Sequence, residues 1–178
     1  MLYGMARANG SPTMHQGADT IIHGNFFGQS SFATYALARA ASLVKVRDDI
    51  PLDMLGPFGC SVETGAGSVF TSLDCPAGSS LAVFGAGAVG MCAIMAARVV
   101  GYTTIIAVDL KPNRLQLASE LGATHTLNAA EDDPVEAIQQ LTNGGVHYSF
   151  ESTGVAPVIR QAVDAAWLGT FGRETQSP

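Results

Sequence analysis

Leu81-Ala82-Val83-Phe84-Gly85-Ala86-Gly87-Ala88-Val89-Gly90 decides the fold. Its first four residues are an unbroken apolar run, which reads as a buried strand. The next six are Gly-x-Gly-x-x-Gly, and Val89 to Val100 continues as an apolar helix rich in Ala and Met. A glycine loop that follows a strand and opens a helix has a mechanism behind it. Gly85 permits the tight turn, Gly87 leaves the backbone open to a pyrophosphate, and Gly90 lets the helix lie close on the strand. Amides at the start of the helix face the phosphates, and the helix dipole favours their charge. Gly85, Gly87, Ala88, Val89 and Gly90 are therefore the candidate cofactor-binding residues of the loop. Without that context, the same six residues would read as a packing turn with no ligand.

The second half of the signal lies downstream. Thr104-Ile105-Ile106-Ala107-Val108 is a second buried, β-branched strand. Asp109 ends it, about 20 residues beyond the glycines, the spacing of an acid that accepts hydrogen bonds from a ribose diol. A carboxylate there repels the extra phosphate of NADP, so NAD is the expected dinucleotide. Lys111 and Arg114 follow closely, and either contacts the adenosine or stays a solvated helix charge. Asn113 to Leu121 reads as a helix stopped by Gly122, and Thr124 to Leu127 as a short third strand. Asp133 caps the next helix, Pro134 suits its first position, and Glu136 completes a capping box. Val135, Ile138 and Leu141 form its apolar face. Val146 to Phe150 alternates with period two as a fourth strand, and Val155 to Trp167 is a further helix. Strands alternating with helices predict an α/β fold with a doubly wound parallel sheet of the Rossmann type. Glu151-Ser152-Thr153-Gly154 falls at the end of the fourth strand, the edge where such sheets bind ligands. Ser152 and Thr153 either line the adenosine pocket or cap a turn.

Upstream, the character differs. Thr20 to Val46 is rich in Phe, Tyr, Ile and Val, broken by Gly24 and Gly28, as short strands and turns are. The change comes near Pro51 to Cys60. Composition bounds the rest. The 178 residues are 47% hydrophobic and only 13% charged, which excludes intrinsic disorder. A net charge of −6 disfavours a nucleic-acid partner. The three cysteines, Cys60, Cys75 and Cys92, are too few for a disulfide framework, and Met1 to Thr20 has no signal-peptide core. A reduced cytoplasmic setting is expected. Cys75 to Ala97 has no charge and is long enough to span a bilayer, but its glycines and Pro76 read better as strand, turn and buried helix. None of the four tyrosines precedes Lys at the Tyr-x-x-x-Lys spacing of short-chain dehydrogenases. A methyltransferase shows a similar loop, usually nearer its start. A ligand-sensing module without catalysis fits the fold equally.

Several stretches together resemble one family. His23-Gly24-Asn25-Phe26-Phe27-Gly28-Gln29-Ser30-Ser31-Phe32-Ala33-Thr34-Tyr35-Ala36 is similar to a segment of the zinc-dependent alcohol dehydrogenases, in the medium-chain dehydrogenase/reductase superfamily, nearest its aryl-alcohol branch. Gly59-Cys60-Ser61-Val62-Glu63-Thr64-Gly65 resembles the stretch that carries the family's last catalytic-zinc cysteine. Val83 to Gly90, Val108-Asp109, Arg114-Leu115 and Glu120 to Thr124 resemble its coenzyme domain. The resemblance implies hydride transfer between a primary, aromatic alcohol and NAD, with zinc stabilising an alkoxide. It implies that Cys60 is a zinc ligand and that Thr64 lies beside the nicotinamide. Cys75 and Cys92 match no ligand position. It divides the chain into 1–58, the β-rich end of a GroES-like catalytic domain, and 59–178, an incomplete Rossmann coenzyme domain. It implies an alcohol or aldehyde as the small-molecule partner and homo-oligomers among full-length relatives; with no polybasic run in the sequence, no membrane partner is expected.

The departures are equally specific. His15 and His23 are not in the family's Gly-His-Glu motif, and its structural-zinc cysteines have no counterpart. Trp167 to Gly172 resembles the entry to a further strand, and Arg173 to Pro178 leaves the pattern. These features lead us to expect an internal fragment that binds NAD weakly and does not turn over alcohol, with an open sheet edge prone to association. The alternative is a non-catalytic NAD-binding or regulatory module.

Overall fold

The computed structural model describes residues 9–12, 14–22, 24, 34–35, 38, 40–73 and 75–167. The chain divides into two compact units, Met1–Ile50 and Pro51–Pro178. In the first unit, β1 (Met14–Gln16) and β2 (Thr20–Ile22) pair antiparallel, and Gly17 turns between them. Most of the family-like segment from His23 to Ala36 lies outside the described residues, as do Leu168 to Pro178.

The second unit is built on a four-stranded parallel sheet. Its strands are β3 (Ser80–Phe84), β4 (Thr104–Asp109), β5 (His125–Asn128) and β6 (Tyr148–Glu151), in the order β5-β4-β3-β6. Strand β3 is central and buried along its whole length. Alternate residues feed the two faces, as a doubly covered parallel sheet requires. Leu81, Val83, Ile105 and Ala107 join one core with Met91, Ile94 and Leu115. Ala82, Phe84, Ile106 and Val108 join the other with Ile138 and Ala162. The helices are α1 (Ser61–Gly67), α2 (Ala88–Val100), α3 (Pro112–Leu121), α4 (Pro134–Thr142) and α5 (Ala156–Asp164).

The uncharged stretch from Cys75 to Ala97 is explained by α2. This helix lies between the sheet and α1, so Gly90 to Ile94 and Ala96-Ala97 are buried, while Met95 and Val99 stay exposed. Gly65 is the contact. A Cβ there would lie 2.2 Å from the Val89 carbonyl oxygen and 2.7 Å from Cys92 Cβ. Among the described residues no helix is long and apolar enough to cross a membrane.

Some sequence expectations shift. The fourth strand begins at Tyr148, not Val146, because Val146 forms an isolated parallel bridge with Ala166. The further helix ends at Asp164, since Trp167 donates its amide to the Val146 carbonyl at 2.7 Å. Asp133 caps α4 through the Val135 and Glu136 amides at 2.8 and 3.4 Å. The capping box does not close: Glu136 instead accepts from Gln140, one turn on. Leu141 is 47% exposed and takes no part in the core, so the buried face of α4 rests on Pro134 and Ile138.

Two outcomes test this packing. The Tyr102 hydroxyl lies beside the Cys75 thiol and, among the described residues, is the sole buried side-chain oxygen or nitrogen without an oxygen or nitrogen hydrogen-bond partner. Tyr102→Phe should therefore stabilise the chain by about 1 kcal/mol in urea unfolding, because it removes an unsatisfied group. A loss of stability would show that the hydroxyl has a partner. Gly65→Ala should cost roughly 3 kcal/mol, since its methyl meets a main-chain oxygen that cannot rotate away. Unchanged stability would disprove the close α1–α2 contact.

Candidate functional site

The loop from β3 to α2 lies at the C-terminal end of the sheet. Gly85 has φ of +94°, and its amide donates to the Val108 carbonyl at 2.8 Å. Gly90 sits against that turn: a Cβ would fall 1.9 Å from the Gly85 carbonyl oxygen. Gly87 is different. Its φ and ψ, −84° and −169°, suit any residue, and a Cβ there would meet nothing within 4 Å. The amides of Ala88 and Val89, in the first turn of α2, have no helical acceptor.

Asp109 closes the loop from β4. Its side chain is only 8% exposed. Oδ2 accepts the Ala86 amide at 2.8 Å, and Oδ1 accepts the Lys111 amide at 2.9 Å. The Arg114 guanidinium lies 3.6 Å from Oδ2 and is half-exposed. An ionised carboxylate accepts about four hydrogen bonds, so two remain for a ribose diol. Asp109, Arg114 and the glycine loop are thus brought together as the spacing suggested.

Ser152 and Thr153 flank the same turn. The Ser152 hydroxyl lies 3.2 and 3.1 Å from the Phe84 and Gly85 carbonyls, to either of which it donates. A Cβ on Gly85 would fall 2.8 Å from Thr153 Cγ2. Glu151 shapes this corner by accepting the Thr153 amide at 2.6 Å, the Gly154 amide at 3.1 Å, and the Thr153 hydroxyl. Nothing in the sequence pattern marked Glu151 as the organiser, because its bonds run to its own backbone two and three residues on.

Cys60 and Thr64 come from the segment that precedes the sheet. Cys60 is exposed, stands just before α1, and accepts the Thr64 amide on its carbonyl at 2.8 Å. The side chain of Thr64 is on the exposed part of the helix. Gly65, the next residue, docks this helix on the first turn of α2. Thr64 is therefore carried on, and Cys60 stands just before, a helix tied to the glycine-loop helix, a tie signalled only by a small residue in Gly65-Ala66-Gly67. Among the described residues no group of three or more His, Cys, Asp or Glu side chains is placed to hold a metal. Cys75 and Cys92 are buried, and burial pushes the Cys92 thiol up, away from the thiolate a metal needs.

Residues 88–170 match the family model described as zinc-binding dehydrogenase. A geraniol dehydrogenase of Castellaniella defragrans is 45% identical over 161 residues, covering 90% of this chain and 43% of its own length. An alcohol dehydrogenase zinc-binding domain protein from Burkholderia ambifaria superposes with a TM-score of 0.80 at 54% identity, over 91% of this chain and 44% of that one. Benzyl alcohol dehydrogenase from Acinetobacter calcoaceticus gives 0.79 at 46%, over 92% and 44%. The chain spans about half the length of the curated relatives it matches. With the parallel sheet and glycine loop in place, the chain is similar to the zinc-type alcohol dehydrogenases over part of their length, and its second unit has the Rossmann-like architecture of their coenzyme domain.

Proposed function

We propose that this chain binds NAD at the β3–α2 loop, as the coenzyme-binding portion of an enzyme that moves hydride between a primary alcohol and the nicotinamide. Gly87 carries this reading. Gly85 needs its positive φ and Gly90 its close approach, so the fold accounts for both. Gly87 satisfies neither requirement of the fold: its conformation is ordinary and the space beside it is open. A ligand that comes closer to the backbone than a methyl allows accounts for a glycine there. Asp109, with two acceptor positions left, suits the adenosine ribose and opposes a 2′-phosphate. Arg114, Ser152 and Thr153 border the same crevice.

Residues 1–58 belong, in this reading, to the end of a GroES-like catalytic domain, and 59–178 to the coenzyme domain. The relatives named for geraniol and benzyl alcohol suggest the substrate. Both are primary alcohols whose carbinol carbon adjoins an sp² carbon, which stabilises the carbonyl product by conjugation. An activated primary alcohol, benzylic or allylic, and its aldehyde are the substrate pair proposed for the whole protein. Thr64 lies beside the nicotinamide in this scheme. Cys60 is offered as one zinc ligand. A single thiolate does not define a metal site.

Fluorescence titration with NADH and NADPH tests the binding. NADH should bind more tightly, and stronger NADPH binding would contradict the role of Asp109. Gly87→Ala should leave thermal stability unchanged and weaken NADH at least tenfold, about 1.4 kcal/mol. Equal NADH affinity in Gly87→Ala would leave the loop a packing turn. Purified and supplied with zinc, NAD and benzyl alcohol, the 178-residue chain should form no NADH; sustained turnover would overturn the single-ligand view of Cys60.

A further inference from the structure

Asp109 does more in this structure than await a ribose. Its buried carboxylate bonds two backbone amides on different elements. One is Ala86, inside the glycine loop, at 2.8 Å; the other is Lys111, at the turn into α3, at 2.9 Å. The loop is held from other directions as well. Gly85 donates to Val108 across β4, and Ser152 lies within hydrogen-bond reach of the Gly85 carbonyl. Yet Ala86 lies between the two glycines, where the chain reverses from strand to helix, and its amide has Asp109 as its acceptor. Ala86 is buried, 2% exposed, so this amide cannot turn to water without moving the loop.

We propose that Asp109 is the positioning residue of the phosphate loop, holding the Ala86 amide so that the Gly85–Gly87 turn is formed before a nucleotide arrives. The proposal rests on the dinucleotide reading and deepens it. If Asp109 served the ribose alone, changing it would affect ligands that carry the adenosine and spare those that do not. As a clamp it also governs ligands that touch only the loop. Preorganisation of this kind improves affinity by removing an ordering cost from the binding step. It also makes the acid costly to exchange for a small neutral residue, because the exchange leaves the Ala86 amide buried without an acceptor.

Asp109→Glu separates the roles, since it keeps the charge and displaces the carboxylate by a methylene. Three measurements on the full chain are compared with the unchanged protein. They are hydrogen exchange of the Ala86 amide without nucleotide, titration with inorganic pyrophosphate, and titration with AMP. The clamp predicts at least tenfold faster Ala86 exchange and at least fivefold weaker pyrophosphate and AMP binding. Unchanged Ala86 exchange and pyrophosphate affinity, with AMP alone weakened, would overturn it. Should Asp109→Glu not fold, Asp109→Asn keeps the volume and one acceptor oxygen. Faster exchange at Ala86 or Lys111 supports the clamp there, and protection of both amides refutes it. An unchanged protein that binds neither NADH nor pyrophosphate would remove the dinucleotide reading and this proposal with it. NADH binding with Ala86 exchange unaffected would remove the proposal alone.

Discussion

The first turn of α2 is gripped from two sides at distances that only glycine allows. Gly90 sets it against the Gly85 carbonyl at the end of β3, and Gly65 sets α1 against the Val89 carbonyl. A Cβ at either place would fall at 1.9 to 2.2 Å from a main-chain oxygen, well inside van der Waals contact. Main-chain atoms at a strand end and inside a helix have no rotamer to escape into, so these approaches fix the geometry around them. The strand, the loop, the amides of α2 and the helix that carries Thr64 and follows Cys60 are located by the same two contacts. The free amides face the C-terminal edge of the sheet, where a parallel α/β sheet offers its crevice.

Much of the second unit was legible because its signals are local. A buried parallel strand must be apolar on both faces, and Leu81 to Phe84 and Thr104 to Val108 are. Helix starts and stops were written in Pro134, Asp133 and Gly122. What was missed depends on partners distant in sequence. Val146 leaves β6 because Ala166 and Trp167 take its backbone groups. Leu141 is exposed because α4 is covered on one side only, and a periodic pattern does not tell which of its apolar residues finds a neighbour. Glu136 turns to Gln140 because an i, i+4 pair competes with the return bond of a capping box. The helix Ser61–Gly67 and the wider turn Ser68–Leu73 after it carry no strong amphipathic pattern, since they form by docking on α2.

For the site, the sequence spacing marked the loop and the acid. It did not show that the acid and the loop touch. Asp109 and Ala86 are separated by 23 residues and joined by one 2.8 Å bond. If the proposed ribose contact falls on the carboxylate that already bonds the loop, two demands act on one side chain. A residue that only read the ribose would be free to change with the cofactor. A residue that also completes a buried turn is bound by two requirements, charge at the ribose and an acceptor at the loop. Asn meets part of the second requirement and not the first; Ser and Gly meet neither at this distance from the Ala86 amide.

The same logic separates the two glycine-loop neighbours on β6. Ser152 reaches the loop's carbonyls, and Glu151 holds the amides of Thr153 and Gly154 and so fixes where Ser152 points. The loop is thus bracketed by an acid from β4 on its amide side and a hydroxyl just past the end of β6 on its carbonyl side. Both brackets stand at the ends of the strands that neighbour β3 in the sheet. Strand order, not only the glycine motif, therefore sets how the loop is framed: a chain with Gly-x-Gly-x-x-Gly but a different strand beside β3 would present the same amides without either bracket. That is the physical reason a glycine motif alone is a weak signal and the motif in this sheet order is a strong one.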